Sequence, residues 1–198
     1  MQFYLEVQLL NRIAQAIENQ RPEVFSVRTK GYVDSQVGKP WSFVAPSDPI
    51  KLSALDASLD YFAKGLNVTV TLSSGAIVLS FLLSAQIRKS NNSNSSTVES
   101  SFSQPVALSA LFGKLVGNTD ADKLYPLQVF DASFLSIADG LRQLLSWVIA
   151  NAISESLAKV GVPYQSVTPT SSPNTNIVLL FDPPSIRPDQ VALSAALS

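Results

Sequence analysis

Two periods of apolar residues run through this chain. Val7, Leu10, Ile13, Ala14 and Ile17 recur at three- and four-residue spacing, with Arg12, Gln15 and Glu18 between them. That stripe predicts a short N-terminal helix ending before Pro22. From about Val24 to Val129 the period falls to two. Leu66, Val68, Val70 and Leu72 alternate with polar residues and predict a strand with one buried face. Ser73-Ser74-Gly75 is a turn signal, so the next strand, Ala76 to Arg88, is expected to form a hairpin with it. Ile77, Leu79, Phe81, Leu83, Ala85 and Ile87 line one face of that strand. It is roughly 40 Å long if extended and is expected to curve strongly or to be shared between two packed surfaces. Ile50 to Tyr61 reads as an earlier strand, with a phase shift near Ala54 that predicts a bulge. Ser90 to Ser96 and Gly113 to Lys123 read as loops.

After Asp131 the helical period returns. Ile137, Leu141, Leu144, Leu145, Val148, Ile149, Ala152, Ile153, Leu157 and Val160 keep it without a break. Asp131 or Ser133 is the expected N-cap, and Gly161 with Pro163 the expected end. The resulting helix, Phe134 to Val160, is about 26 residues and roughly 40 Å long, matching the long strand. Ala138 and Trp147 widen its apolar side. A loop rich in Pro, Ser and Thr, Val167 to Thr175, then precedes two strands. Ile177 to Phe181 is apolar on both faces and is expected to be covered twice. Val191, Leu193, Ala195 and Leu197 alternate in the second, Gln190 to Leu197. Strands grouped apart from helices predict an α+β fold. The expected order is a short N-terminal helix, several long antiparallel strands, one long helix in the C-terminal half and two strands, in a single domain spanning 1–198.

Composition narrows the chemistry. The chain has 198 residues, no Cys and no His. Disulfides, thiolate zinc sites, cysteine nucleophiles, the Ser–His relay and the commonest metal ligand are all absent. The expectation is a non-catalytic protein with no cofactor and no metal. The net charge of −1 supplies no basic field for nucleic acid. Charged residues are 15%, against about 25% in an average globular protein, and neutral polar residues fill the gap. The longest apolar stretch, Ala76 to Leu83, is too short to span a bilayer as a helix. Met1-Gln2-Phe3-Tyr4-Leu5-Glu6 lacks the form of a signal peptide; the compartment is open, with the cytoplasm favoured.

The order of elements resembles the tubular lipid-binding (TULIP) superfamily, to which bactericidal/permeability-increasing protein belongs. The resemblance is carried by Val7 to Ile17, the strands Ile50 to Tyr61 and Ala76 to Arg88, the helix Phe134 to Val160, and the ending Ile177 to Phe181 with Val191 to Leu197. It rests on architecture, with no sequence motif. The chain looks most like cysteine-free bacterial members found in toxin gene clusters. The resemblance implies a long, highly curved antiparallel sheet wrapped around the long helix of the C-terminal half, with a space between helix and sheet that holds acyl chains. The candidate lining is Ile77, Leu79, Phe81 and Leu83 from the sheet, with Leu141, Leu145, Val148, Ile149 and Ile153 from the helix. The same residue types would also make an ordinary packed core. The expected ligand is a lipid or another hydrophobic small molecule. The alternative is a structural or interaction module of the same fold, binding a partner protein or a second copy through a sheet edge or an apolar stripe.

Other motifs are weaker. Ser156-Leu157-Ala158-Lys159 fits Ser-x-x-Lys, but its companion motifs are missing. Asn118-Thr119-Asp120-Ala121-Asp122 suggests a calcium loop, yet Lys123 and Val129 stand where glycine and glutamate are needed. Gly113 and Gly117 have small-xxx-small spacing outside any apolar 20-mer. Asn67, Asn91 and Asn94 begin chance glycosylation sequons. Trp41 is the better candidate for an exposed rim, with Trp147 assigned to the core. Asp56, Asp60 and Asp139 show no spacing that pairs them for hydrolysis.

Overall fold

The computed structural model describes residues 1–32, 45–52, 57–73, 75–89, 100–134, 140–169 and 176–197. Strand β1 (Gln2–Glu6) leads directly into helix α1 (Val7–Gln20). A 3-10 turn (Pro22–Phe25) and the short strands β2 (Ser26–Arg28) and β3 (Ile50–Leu52) follow. Next come the long strands β4 (Ala57–Ser73), β5 (Ala76–Lys89), β6 (Ser100–Phe112) and β7 (Leu124–Phe134). Helix α2 (Gly140–Leu157) precedes β8 (Gly161–Pro163), β9 (Gln165–Pro169), β10 (Asn176–Phe181), β11 (Ser185–Ile186) and β12 (Gln190–Leu197).

The fold is α+β and mostly antiparallel. A seven-stranded sheet runs β2-β4-β5-β6-β7-β8, with β3 also on β4. It curls into a half-barrel. A five-stranded sheet runs β1-β12-β10-β9, with β11 also on β12. Alternation explains β5 fully, since Ile77, Leu79, Phe81, Leu83, Ala85 and Ile87 are all buried. The expected hairpin with β4 is present, and Gly75 takes a φ of 86° in its turn.

Two bulges bend the sheet. Between Leu66 and Thr69 the register on β5 slips by one residue, and Asn67 adopts φ 57°. Asn tolerates this left-handed conformation better than most side chains. The slip reverses the inward phase. Tyr61 and Ala63 point inward before it, Val68 and Val70 after it. Leu66, expected on the buried face, therefore pairs with Leu82 on the outer one. A second slip between Ser109 and Ala110 leaves Phe130 of β7 unopposed and 60% exposed.

Helix α1 covers the part of β4 beyond β2. The Asn11 amide donates to the Val70 carbonyl (2.8 Å) and its oxygen accepts the Val70 N–H (2.8 Å). The Glu18 carboxylate accepts the N–H groups of Asn67 (2.9 Å) and Val68 (3.0 Å). Both side chains thus satisfy backbone groups at a strand edge and a bulge.

Helix α2 is shorter than its apolar period predicts. It has 18 residues, or about 27 Å, and does not match β5 in length. Asp131, Ser133 and Phe134 belong to β7 and cap nothing, because the strand continues past its bulge. At the other end the helix stops at Leu157, and Gly161 and Pro163 form β8. Leu145, Ile149 and Ile153 are fully buried against the sheet. Leu144 and Trp147, expected on the apolar side, face outward at 46% and 56% exposure.

Three further expectations change. Ile50 to Tyr61 is not one bulged strand: Ile50 pairs with Leu59 and Leu52 with Ala57, so the phase shift marks a chain reversal. Gln165 to Pro169 is strand, where the sequence reads as loop from Val167. Strand β10 lies between β12 and β9, yet Ile177 is 45% exposed, so the expected double cover is missing at that end. Ser90 to Ser96, Trp41, Asp56 and Asp139 lie outside the described residues.

One core group is mismatched. The Ser156 hydroxyl is fully buried in α2 without a hydrogen-bond partner. An unsatisfied buried hydroxyl costs about 1–3 kcal/mol. Ser156→Ala is therefore expected to raise unfolding stability by about 1 kcal/mol. Urea denaturation would measure this, and a loss of stability would mean that the hydroxyl has a partner.

Candidate functional site

Among the described residues the candidate lining is divided between a closed core and two hollows. Of the nine expected lining residues, Phe81, Leu83, Leu145, Ile149 and Ile153 fill the closed core. Leu141 is in the first turn of α2, and its side chain is outside the described residues. Val148 is half-buried beside Trp147, Tyr61 and Arg28 around a separate, polar hollow of about 270 Å³. Burial pushes the Tyr61 hydroxyl above its ordinary pKa, with the Ser47 hydroxyl 3.2 Å away opposing the shift.

Ile77 and Leu79 line an apolar cavity of about 180 Å³ under α1. Helix α1 supplies Leu10, Ile13, Ala14 and Ile17, the same stripe that is legible in the sequence. The 3-10 turn adds Val24 and Phe25, and β4 adds Val70. Phe112, Leu127 and Leu157 close the far wall, and Leu5, Val160, Gly161 and Val162 complete it. No charged side chain takes part. A hollow so lined favours apolar contents. Ile13 borders the cavity and is also 41% exposed, so this wall reaches the surface.

Gly161 decides the shape of the far wall. A Cβ there would overlap the Tyr125 carbonyl and crowd the Pro126 Cα. Gly161 pairs with Pro126, and the Leu127 N–H donates to the Val160 carbonyl (2.8 Å). Just beyond, the Tyr125 hydroxyl donates to the Phe181 carbonyl (3.1 Å), tying the two sheets together. Nothing in the one-dimensional pattern marks this approach, since Gly161 also reads as a helix stop.

Beside the cavity lies a polar hollow of about 420 Å³ that shares Ile17, Val24, Val160 and Gly161 with it. Arg21, Lys123, Lys159 and Asp122 supply its charges. Arg21 pairs with Glu23, and the Lys123 ammonium lies 2.8 Å from Asp120. The bond from Arg21 holds Glu23 below the usual carboxylate range, and the bond to Asp120 pushes Lys123 up. The Asp122 carboxylate accepts the Thr119 N–H (2.5 Å) and hydroxyl (2.7 Å), which lower its pKa. The suggested calcium loop is thus a hydrogen-bonded turn, and no group of three acidic residues is found among the described residues.

Ser156 is buried while Lys159 is exposed, which separates the Ser-x-x-Lys pair. Asp60 is buried and accepts the Thr29 hydroxyl (2.6 Å), which makes it a staple between β4 and the segment after β2. Among the described residues no helix is long and apolar enough to cross a membrane. No family model matches this chain, and no curated protein matches it. A solved structure similar to it is a crystal structure of lipopolysaccharide binding protein, with a TM-score of 0.38 and 15% sequence identity, covering 88% of this chain and 40% of that one.

Proposed function

We propose that this protein binds a lipid or another hydrophobic small molecule, without chemistry, in the cavity under α1. The observation that carries this reading is an apolar-walled space of about 180 Å³ that reaches the surface at Ile13. A cavity of about 150 Å³ accepts a six-carbon ring. Burying roughly six methylenes at about 0.8 kcal/mol each gives about 5 kcal/mol, or a sub-millimolar Kd for a short chain. The space suits one chain end.

Titration with octanol by calorimetry tests the reading directly. Saturable binding is expected on the wild type. Ala14→Leu, which adds three carbons to the cavity wall, is expected to weaken it about tenfold or more while stability holds or rises. Native mass spectrometry with organic extraction would identify any lipid that co-purifies. No saturable binding of octanol would move the assignment to the alternative, a module that binds a partner protein. That reading has its own observation: Val167, Ile177 and Leu197, at 51%, 45% and 69% exposure, leave one end of the five-stranded sheet uncovered.

A further inference from the structure

The ligand's polar end can be read from what adjoins the cavity. Resting on the cavity as a ligand site, we infer that the ligand is a single-chain anionic amphiphile, with its tail under α1 and its oxyanion head between Arg21, Lys123 and Lys159.

Three observations support this. The apolar cavity and the polar hollow share four wall residues, so the two lie side by side. The hollow is lined by three cationic side chains and one carboxylate. That carboxylate, Asp122, is turned into its own loop by Thr119. Glu23 and Asp120 are held in ion pairs by Arg21 and Lys123. Each pair has one member open to solvent, Arg21 at 57% and Asp120 at 61%, and one half-buried, Glu23 at 23% and Lys123 at 31%; ion pairs that reach solvent contribute little, so an entering oxyanion exchanges with them at modest cost. Arg21 offers a fork that matches carboxylate or phosphate, and the two lysines act as point charges. The small apolar volume sets one chain rather than two.

The test compares octanoate, octyl phosphate and octylammonium on the full chain at low salt, with octanol as the uncharged reference. Both anions are expected to bind about fivefold or more tightly than octylammonium. The preference is expected to shrink with added salt, since screening weakens exposed charges. In Lys123→Gln/Lys159→Gln the ratio should fall towards one. These side chains reach solvent, so folding is retained, and circular dichroism checks it. Octyl phosphate above octanoate would assign a phosphate head, and the reverse a carboxylate. If octanol binds but octylammonium equals or exceeds the anions, the anionic head is wrong and the cavity reading stands. If the ratio survives the double substitution, the mouth is misassigned. If none of the four ligands binds, both readings fall together.

Discussion

Gly161→Ala is expected to lower unfolding stability by about 3–5 kcal/mol, near the top of the range for single substitutions. In a chain of this size that is a fall in Tm of roughly 10 °C or more. The cause is contact and not backbone strain. Gly161 has an ordinary extended φ, but its added methyl would overlap the Tyr125 carbonyl and press on the Pro126 Cα. Backbone cannot swing aside as a side-chain tip can. Strand β8 must move off β7, and the bond between Leu127 and Val160 stretches with it. The wall between the cavity and the adjoining hollow then shifts, so octanol affinity should fall as well. Gly75→Ala makes an instructive comparison. Gly75 has φ 86° and nothing within 4 Å of an added Cβ. Its replacement should cost only about 1–2 kcal/mol, from the left-handed backbone alone. Paired urea denaturation curves would measure both. Equal losses would mean that the β7–β8 approach is looser than described.

The difference between those two glycines also marks how far the fold was legible. Gly75 announces itself, because a turn signal stands between two alternating runs, and β4 and β5 follow from that pattern. Gly161 announces the wrong thing. It follows a long helical period, where a glycine reads as a stop, and its need for a bare Cα arises only when β7 arrives from elsewhere in the chain. The same limit explains the helix. Val129, Ala132 and Phe134 are half-buried and share the inner side across the bulge at Phe130. The slip disguises their alternation, so the segment merges with the helical pattern that begins after it. At β3, a reversal of the chain and a bulge leave the same trace, a shift of phase. The candidate site was legible by halves. The α1 stripe and the inward face of β5 are visible in sequence, but their meeting at one end of the sheet is not. Arg21, Lys123 and Lys159 are separated by most of the chain, and no local pattern joins them.

Ile149→Ala is expected to cost about 2–5 kcal/mol, and its comparison with Leu79→Ala separates core from cavity. Both side chains belong to the nine that sequence places along one lining. Ile149 is fully buried with Leu145 and Ile153 in the packed interior. Its truncation opens a new void whose walls cannot fully collapse, so the protein loses the transfer energy of the removed carbons and the dispersion contacts around them. Leu79 also has almost no exposure, yet one side of it already borders empty space. Removing its three terminal carbons enlarges that space. Each extra methylene a ligand can bury is worth about 0.8 kcal/mol, so two are worth about tenfold in affinity. Leu79→Ala should therefore raise the preference for decanol over octanol by about tenfold, measured by calorimetry on both alcohols. A shift of the same size in Ile149→Ala would mean that the α2 interface is the ligand's true seat. If neither substitution moves the preference, the space under α1 is a packing defect and not a binding site.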